Sequence, residues 1–341
     1  MPLTGYNAGI FMSIGVLAVL CLVLGAEFLN GWTDAPNATA AAVATKLLSK
    51  RAALSLAVIL NFAGTLSALV FGAAVAKTIG TGIISPSAVS LYSIAAAMLA
   101  VILWGLIAAY IGLPVSKSHA LFAGLAGAAF QYGGASALLE GGWITILKGV
   151  LISTFAVFTI SWALSGLINY ANIEWMSERA WRRCQAVTVM LVAFGHGWND
   201  GLKFVGVFAL VLLLGGVNAT FHVSPWIVVI CAIVMGAGTF CGGWRIVTRI
   251  AKEMVNDIYK AEQGVVAELI AAAGIGTTAF FGIPMSTTHT VVSSIAGAKA
   301  SHGMRSVNWK IVRLIIQGWL VTVVFCGIVA YCLSFTFGLF L

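Results

Sequence analysis

Seven stretches of this chain are apolar over a length that crosses a bilayer: residues 9–29, 52–76, 91–111, 144–168, 226–243, 264–282 and 311–335. About 20 consecutive apolar residues span the hydrocarbon core as an α-helix. In lipid every backbone amide needs an internal partner, which leaves helices and closed barrels as the only spanning structures. Barrel strands alternate in polarity with a period of two, and these runs do not. Only 8% of the residues are charged, against about 25% in a soluble domain. The expected fold is an all-α integral membrane protein.

The formal net charge of +8 does not point to nucleic acid, because the basic residues sit in short connections between the runs. Cytoplasmic loops of membrane proteins carry Lys and Arg in this way. The six cysteines show no C-x-x-C spacing and lie mostly within apolar runs, so they read as small buried hydrophobes. The opening "MPLTGYNAG" has no basic leader, and a cleaved signal peptide is not expected.

Residues 30–37, "NGWTDAPN", interrupt the end of the first run with Asn30, Thr33, Asp34, Pro36 and Asn37, and Glu27 precedes them. A carboxylate at membrane depth costs about 2.5–3.5 kcal/mol on insertion scales, so this polarity needs a reason. A second copy exists. "HGWNDGLK" (196–203) aligns Gly197 with Gly31, Trp198 with Trp32 and Asp200 with Asp34, 166 residues apart. A second pair of segments, "GLPVSKSHALFAGLAGA" (112–128) and "GIPMSTTHTVVSSIAGA" (282–298), repeats at an offset of 170. Two blocks in the same order mark a tandem duplication: residues 1–170, a cytoplasmic linker 171–185, and residues 186–341.

The basic loops give the relative hand of the copies. Lys46, Lys50 and Arg51 in "KLLSKR" have no basic counterpart in "NATFHVS" (218–224). Loop 77–90 has only Lys77, while 244–262 has Arg245, Arg249, Lys252 and Lys260. Loop 131–143 has none, while 299–310 has Lys299, Arg305 and Lys310. Positive-inside bias therefore places equivalent loops on opposite sides. The expected architecture is two inverted-topology repeats, each with a broken first helix (9–48 and 186–218) and a re-entrant helical hairpin (91–130 and 264–300). Each hairpin leg is long enough to span alone. Both termini are expected outside, with Arg179, Arg182 and Arg183 cytoplasmic. Inverted repeats with discontinuous helices are the mark of secondary transporters.

Two chemistries meet in the polar stretches. Glu27, Asp34 and Asp200, with the amides of Asn30, Asn37 and Asn199 and the Thr33 hydroxyl, offer hard oxygen ligands to a cation, or a carboxylate to a proton. Hydrogen-bonding glue between helices is the structural alternative. Ser116, Lys117 and Ser118 before His119, and Ser286, Thr287 and Thr288 before His289, follow Gly-x-Pro and open small-residue helices. Hydroxyls and free amides at a helix N-terminus attract an anion, although Ser and Thr also serve there as ordinary caps. His119 and His289 read as packing or as a proton relay, His196 as a hydrogen-bonding partner, and His222 and His302 as solvated. Lys203 pairs with Asp200, attracts the anion or snorkels. Glu268 is a cation ligand or an interfacial residue.

At these residues the sequence resembles the inorganic phosphate transporter (PiT) family, which carries a duplicated Asn/Gly-x-x-Asp signature and a Pro-x-Ser-type motif ending in His in each half. The matches are Asn30, Gly31, Asp34 and Asn37; Gly197, Asn199 and Asp200; Pro114, Ser116, Ser118 and His119; and Pro284, Ser286, Thr287, Thr288 and His289. The resemblance spans nearly the whole chain. It implies symport of inorganic phosphate with sodium or protons across the plasma membrane, often by a homodimer embedded in lipid, with no cofactor. Taken with the chemistry of the residues themselves, Ser116, Ser118, Ser286, Thr287, Thr288, Asn37 and Lys203 are expected to face phosphate. Asp34, Asp200, Asn30, Thr33, Asn199, Glu27 and Glu268 would face the coupling cation, with sodium, if used, on Asp34 and Asp200. Two positions depart from the pattern: Lys117 replaces a small hydroxyl, and Lys203 stands where symmetry with Asn37 expects Asn. Sulfate carriers look similar, so another oxyanion is the alternative substrate. An intramembrane hydrolase would need an oriented nucleophile and a base from a distant element, and none is visible. A channel leaves the inverted hairpins unexplained.

Overall fold

The computed structural model describes residues 5–171, 176–255 and 259–340. Part of the 171–185 linker, part of the basic loop 244–262 and residues 1–4 and 341 lie outside the described residues. Among the described residues the chain is helical throughout, apart from two isolated β-bridges. In the first half α1 (Gly5–Thr33) leads through a 3₁₀ turn (Ala35–Thr39) into α2 (Ala40–Ala44). Then come α3 (Lys50–Leu66), α4 (Ala68–Phe71), α5 (Ala74–Lys77), α6 (Leu91–Ile111), α7 (Lys117–Gly133), α8 (Glu140–Leu151) and α9 (Val157–Tyr170). The second half holds α10 (Glu178–His196), α11 (Leu202–Leu214), α12 (Pro225–Cys241), α13 (Trp244–Thr248), α14 (Ala261–Phe280), α15 (Thr287–Ala300) and α16 (Trp309–Phe340).

Among the described residues seven helices are long and apolar enough to cross a membrane, and an eighth arises if the bent pair Pro225–Cys241 and Trp244–Glu253 is one span. Leu320, Val324 and Ile328 on α16, with Leu147, Leu151 and Phe155 around α8, point outward and exposed. Contiguous apolar surface of this kind suits lipid rather than water.

The two halves share an element order and pack reciprocally. α1 lies against α6 and α12, as α10 lies against α14 and α3; α7 packs on α16, as α15 packs on α9. The same symmetry governs where backbones touch. A Cβ on Gly31 would fall on the Met235 carbonyl oxygen and one on Gly238 on that of Phe28. In the partner contact, Gly197 faces the Asn61 carbonyl and Gly64 that of Phe194. Small residues let membrane helices approach to backbone contact, and here two glycine pairs do so at equivalent places.

Both hairpins turn on a left-handed glycine, Gly112 (φ 66°) and Gly282 (φ 67°), a conformation that costs glycine nothing. The Leu-Pro-Val and Ile-Pro-Met segments that follow are not helical, and α7 and α15 begin only at Lys117 and Thr287. With 17 and 14 residues and 1.5 Å of rise per residue, these second legs reach about 26 and 21 Å. That is less than the roughly 30 Å hydrocarbon core. Contrary to the expectation that either leg spans alone, only α6 and α14 have the length.

The other differences from the sequence reading lie in winding and in helix ends. The polar stretch of the second half is not a break: α10, a π turn (Gly197–Gly201) and α11 run on as one helix, Glu178–Leu214. Pro36 stands at the start of the 3₁₀ turn in the first half, where its missing N–H ends α winding; the equivalent residue in the second half is Leu202. That helix also begins at Glu178, inside the segment assigned to the linker, because Ser177 caps it by accepting from Ala180 N–H at 3.2 Å. The run 52–76 ends at Phe71, and the chain turns at Gly72.

Candidate substrate and cation site

The two hairpin tips meet. Ser116 Oγ lies 2.8 Å from Ser286 Oγ, although the residues are 170 apart in sequence. Each serine also caps its own helix, accepting from His119 N–H (3.1 Å) and His289 N–H (3.3 Å). The capping role is therefore real for these two. The other three hydroxyls do something else. Thr287 Oγ1 donates to Asp200 Oδ2 at 2.9 Å, Thr288 Oγ1 donates to Asp34 Oδ2 at 3.1 Å, and Ser118 Oγ donates to the Met285 carbonyl at 3.3 Å.

Each aspartate gathers groups from both halves. Asp34 Oδ2 accepts from the backbone N–H of Lys117 (3.3 Å) as well as from Thr288, and Oδ1 accepts from the Thr33 hydroxyl (3.1 Å). Lys117 Nζ lies 3.6 Å from Asp34 Oδ1 and makes no hydrogen bond. Asp200 accepts from Thr287 and from the Lys203 ammonium, with His196 Nε2 3.5 Å away. The His196 tautomer follows from its neighbour. Asn61 Nδ2 donates to the Ala57 carbonyl, which leaves Asn61 Oδ1 to accept from His196 Nδ1 at 2.6 Å. Nδ1 therefore carries a proton, and Nε2 is the ring atom turned toward Asp200.

Lys203 neither snorkels nor offers itself to an anion. Its ammonium donates to Asp200, to Ser118 Oγ (2.7 Å) and to the Met285 carbonyl (2.6 Å). A lysine has three donors, and all are spent on protein. Lys117, by contrast, keeps three. Both side chains are 1% exposed.

The amides of Asn37 and Asn199 are buried, and neither oxygen nor nitrogen of either has a hydrogen-bond partner. An unsatisfied buried polar group costs about 1–3 kcal/mol, so two complete orphan amides beside two carboxylates are the chemistry of a ligand site. Asn30 Nδ2 donates to Glu27 Oε2 (3.1 Å), while Glu27 Oε1 and Asn30 Oδ1 are left free.

Glu268 is buried but turns elsewhere. It accepts from Thr188 Oγ1 (2.7 Å) and Gln185 Nε2 (3.3 Å) on α10, and Gln185 in turn accepts from Thr45. These bonds form a separate polar network that does not include the tips. His119 and His289 stack behind the tips with ring centroids 4.4 Å apart, and His289 lies flat on Trp319 at 3.5 Å, a packing arrangement. His302 is not fully solvated, since its Nδ1 lies 3.0 Å from Ser301 Oγ. Sequence reasoning missed Asn61, which no motif marks, and the carbonyl of Met285, which lies within the second hairpin motif but was given no role; it left Lys117 without a role as well.

The family model for the phosphate transporter family matches residues 30–177 and 171–330. The chain is 35% identical over 320 residues to a probable low-affinity inorganic phosphate transporter of Bacillus subtilis (strain 168), covering 92% of this chain and 94% of that protein. It is 33% identical over 313 residues to a probable low-affinity inorganic phosphate transporter of Rhizobium meliloti (strain 1021), covering 91% of each. Among solved structures, one described as the sodium-dependent phosphate transporter superposes with a TM-score of 0.84 at 21% identity, over 96% of this chain and 100% of that one. That likeness shows the fold.

Proposed function

The chain belongs to the phosphate transporter family, and on that premise we propose that it is a secondary transporter that carries inorganic phosphate with a coupling cation across the plasma membrane by alternating access. The observation that carries the reading is the junction of the hairpin tips. Ser116 and Ser286 touch, Lys117, Ser118, Thr287 and Thr288 follow them in the same two tips, and Thr287 and Thr288 join the tips to Asp200 and Asp34, whose stretches carry the orphan amides of Asn199 and Asn37. Phosphate at neutral pH retains a proton and can donate to a carboxylate or amide oxygen, whereas sulfate cannot. The acceptor-rich floor made by Asp34 and Asp200 therefore favours phosphate.

Parity supports the inversion. If the α6–α7 hairpin returns to its side of entry, the first half crosses three times, through α1–α2, α3–α4 and α8–α9. An odd number delivers the second half to the opposite face. Reciprocal packing and the alternating basic loops agree with this, and two such halves moving about a shared centre are the usual basis of alternating access. Single cysteines in a cysteine-free background should label from the cytoplasm at positions 46–51, 179–183 and 252, and from outside at 85, 136 and 221. Cytoplasmic labelling at 136 would contradict a first hairpin entered from outside.

Removing the hydroxyls of Ser116, Ser118, Ser286, Thr287 and Thr288 one at a time tests the anion site. A hydrogen bond to a charged group contributes about 1.5–3 kcal/mol, so each loss should weaken phosphate binding by roughly tenfold or more. Loss of a cap alone costs about 1 kcal/mol of helix stability and lowers the folded yield instead. Five variants that bind phosphate like the parent, measured on folded material, would make the tips structural caps only.

A further inference from the structure

We infer that Lys203 is a built-in counter-cation, holding at Asp200 the place that a coupling sodium would take, and that with Lys117 beside Asp34 it makes phosphate binding independent of sodium. The inference rests on the reading of the site as a phosphate carrier's and adds which cation it does without.

The geometry is that of a cation site. A hard monovalent ion is held by carboxylate, carbonyl and hydroxyl oxygens. Lys203 Nζ has one of each: Asp200 Oδ1, the Met285 carbonyl at 2.6 Å and Ser118 Oγ at 2.7 Å. These oxygens come from three elements, namely the π turn before α11, the extended segment before α15, and the first turn of α7. Every donor of the ammonium is used, and the side chain is buried. A sodium ion entering this shell would have to displace a tethered charge of the same sign.

The symmetric half makes the contrast. The equivalent of Lys203 is Asn37, a neutral amide with no partner. There the second lysine comes from the other motif: Lys117, in place of a hydroxyl residue, puts its ammonium 3.6 Å from Asp34. The two departures from the family pattern named above are thus both lysines, and each lands on one of the two aspartates. Two lysines stand against two aspartates. Sodium at Asp34 would meet an ammonium that has no other counter-charge within ion-pair distance among the described residues.

The test is phosphate binding to the purified full chain in sodium chloride and in choline chloride, with thermal stability read in both salts. Coupled ligands typically alter each other's affinity by about 5–150-fold. The parent should show a phosphate Kd unchanged within about twofold, below that range, and no sodium-dependent stabilisation. Lys203→Asn, which copies the first half, should become stabilised by sodium and bind phosphate more tightly in it, by at least about fivefold. A merely structural lysine would give a destabilised variant that sodium does not rescue, and that result overturns the inference. So does a parent whose phosphate affinity follows sodium. If Lys203→Asn fails to fold in either salt, it was not rescued, and the inference again falls. A parent that binds no phosphate in either salt defeats the transport reading, while sodium rescue of Lys203→Asn still decides the role of the lysine.

Discussion

Asp34→Asn and Asp200→Asn should each abolish concentrative phosphate uptake, but with different costs in stability. Asn preserves the shape of the side chain and loses the charge. At position 34 the lost carboxylate ties the α7 N-terminus, through Lys117 N–H, to the second hairpin, through Thr288. Neither tip is then held against the α1 break by a charge. At position 200 the lost carboxylate ties Thr287 and the Lys203 ammonium. Removing one partner of a buried ion pair costs about 3–5 kcal/mol, because the other charge is left uncompensated, whereas replacing both is often neutral. Asp200→Asn should therefore lose more folded protein than Asp34→Asn, whose lysine sits 3.6 Å away without a hydrogen bond. The double variant Asp200→Asn/Lys203→Met should recover folded yield without recovering uptake. The readouts are fluorescence-detected size exclusion for yield and radiolabelled phosphate accumulation per folded transporter. Gradient-driven accumulation by both single variants at the parent's level would remove the aspartates from the mechanism.

Gly197→Val and Gly31→Val should leave little folded protein. A Cβ at either glycine falls on a backbone carbonyl oxygen of the facing helix, Asn61 for Gly197 and Met235 for Gly31. Backbone cannot rotate away as a side chain can, so the helices must part. Overpacking a tight interior costs about 1–3 kcal/mol and occasionally more; here two close-packed helix pairs, α3 with α10 and α1 with α12, carry the contacts that set the halves together. Gly276 on α14 has nothing within 4 Å of its would-be Cβ. Gly276→Ala should be tolerated and slightly stabilising, since Gly in a helix interior costs up to about 1 kcal/mol relative to Ala. Equal yields for Gly197→Val and Gly276→Ala would contradict the close packing.

Much of this molecule is written locally. The repeat offsets near 166 and 170 bring Asp34 and Asp200, and Ser116 and Ser286, into equivalent places before any contact is known. The tips meet because each opens with a Gly-Leu-Pro or Gly-Ile-Pro turn that ends one helix and starts a shorter one. The asymmetry of winding runs against the expectation of two broken helices: Pro36 stands in a 3₁₀ turn, whereas the stretch before Leu202 winds on through a π turn. What was not legible depends on which helix faces which. The saturation of Lys203 and the His196–Asn61 bond each need partners more than 80 residues away, and the orphaned state of Asn37 depends on what the surrounding helices fail to offer it. Where Glu268 turns was not legible for the same reason. Its partners Gln185 and Thr188 sit three residues apart on α10, a polar stripe visible in sequence whose target was not.

The central claim is that the joined hairpin tips bind phosphate and that the protein moves it uphill. Radiolabelled phosphate uptake into proteoliposomes of the purified chain, under imposed pH and sodium gradients, tests this most directly. The account predicts accumulation above the equilibrium level under a cation gradient, competed by excess unlabelled phosphate and poorly by sulfate, with the initial rate unchanged when choline replaces sodium. Phosphate that only equilibrates across the membrane whatever gradient is applied would contradict it.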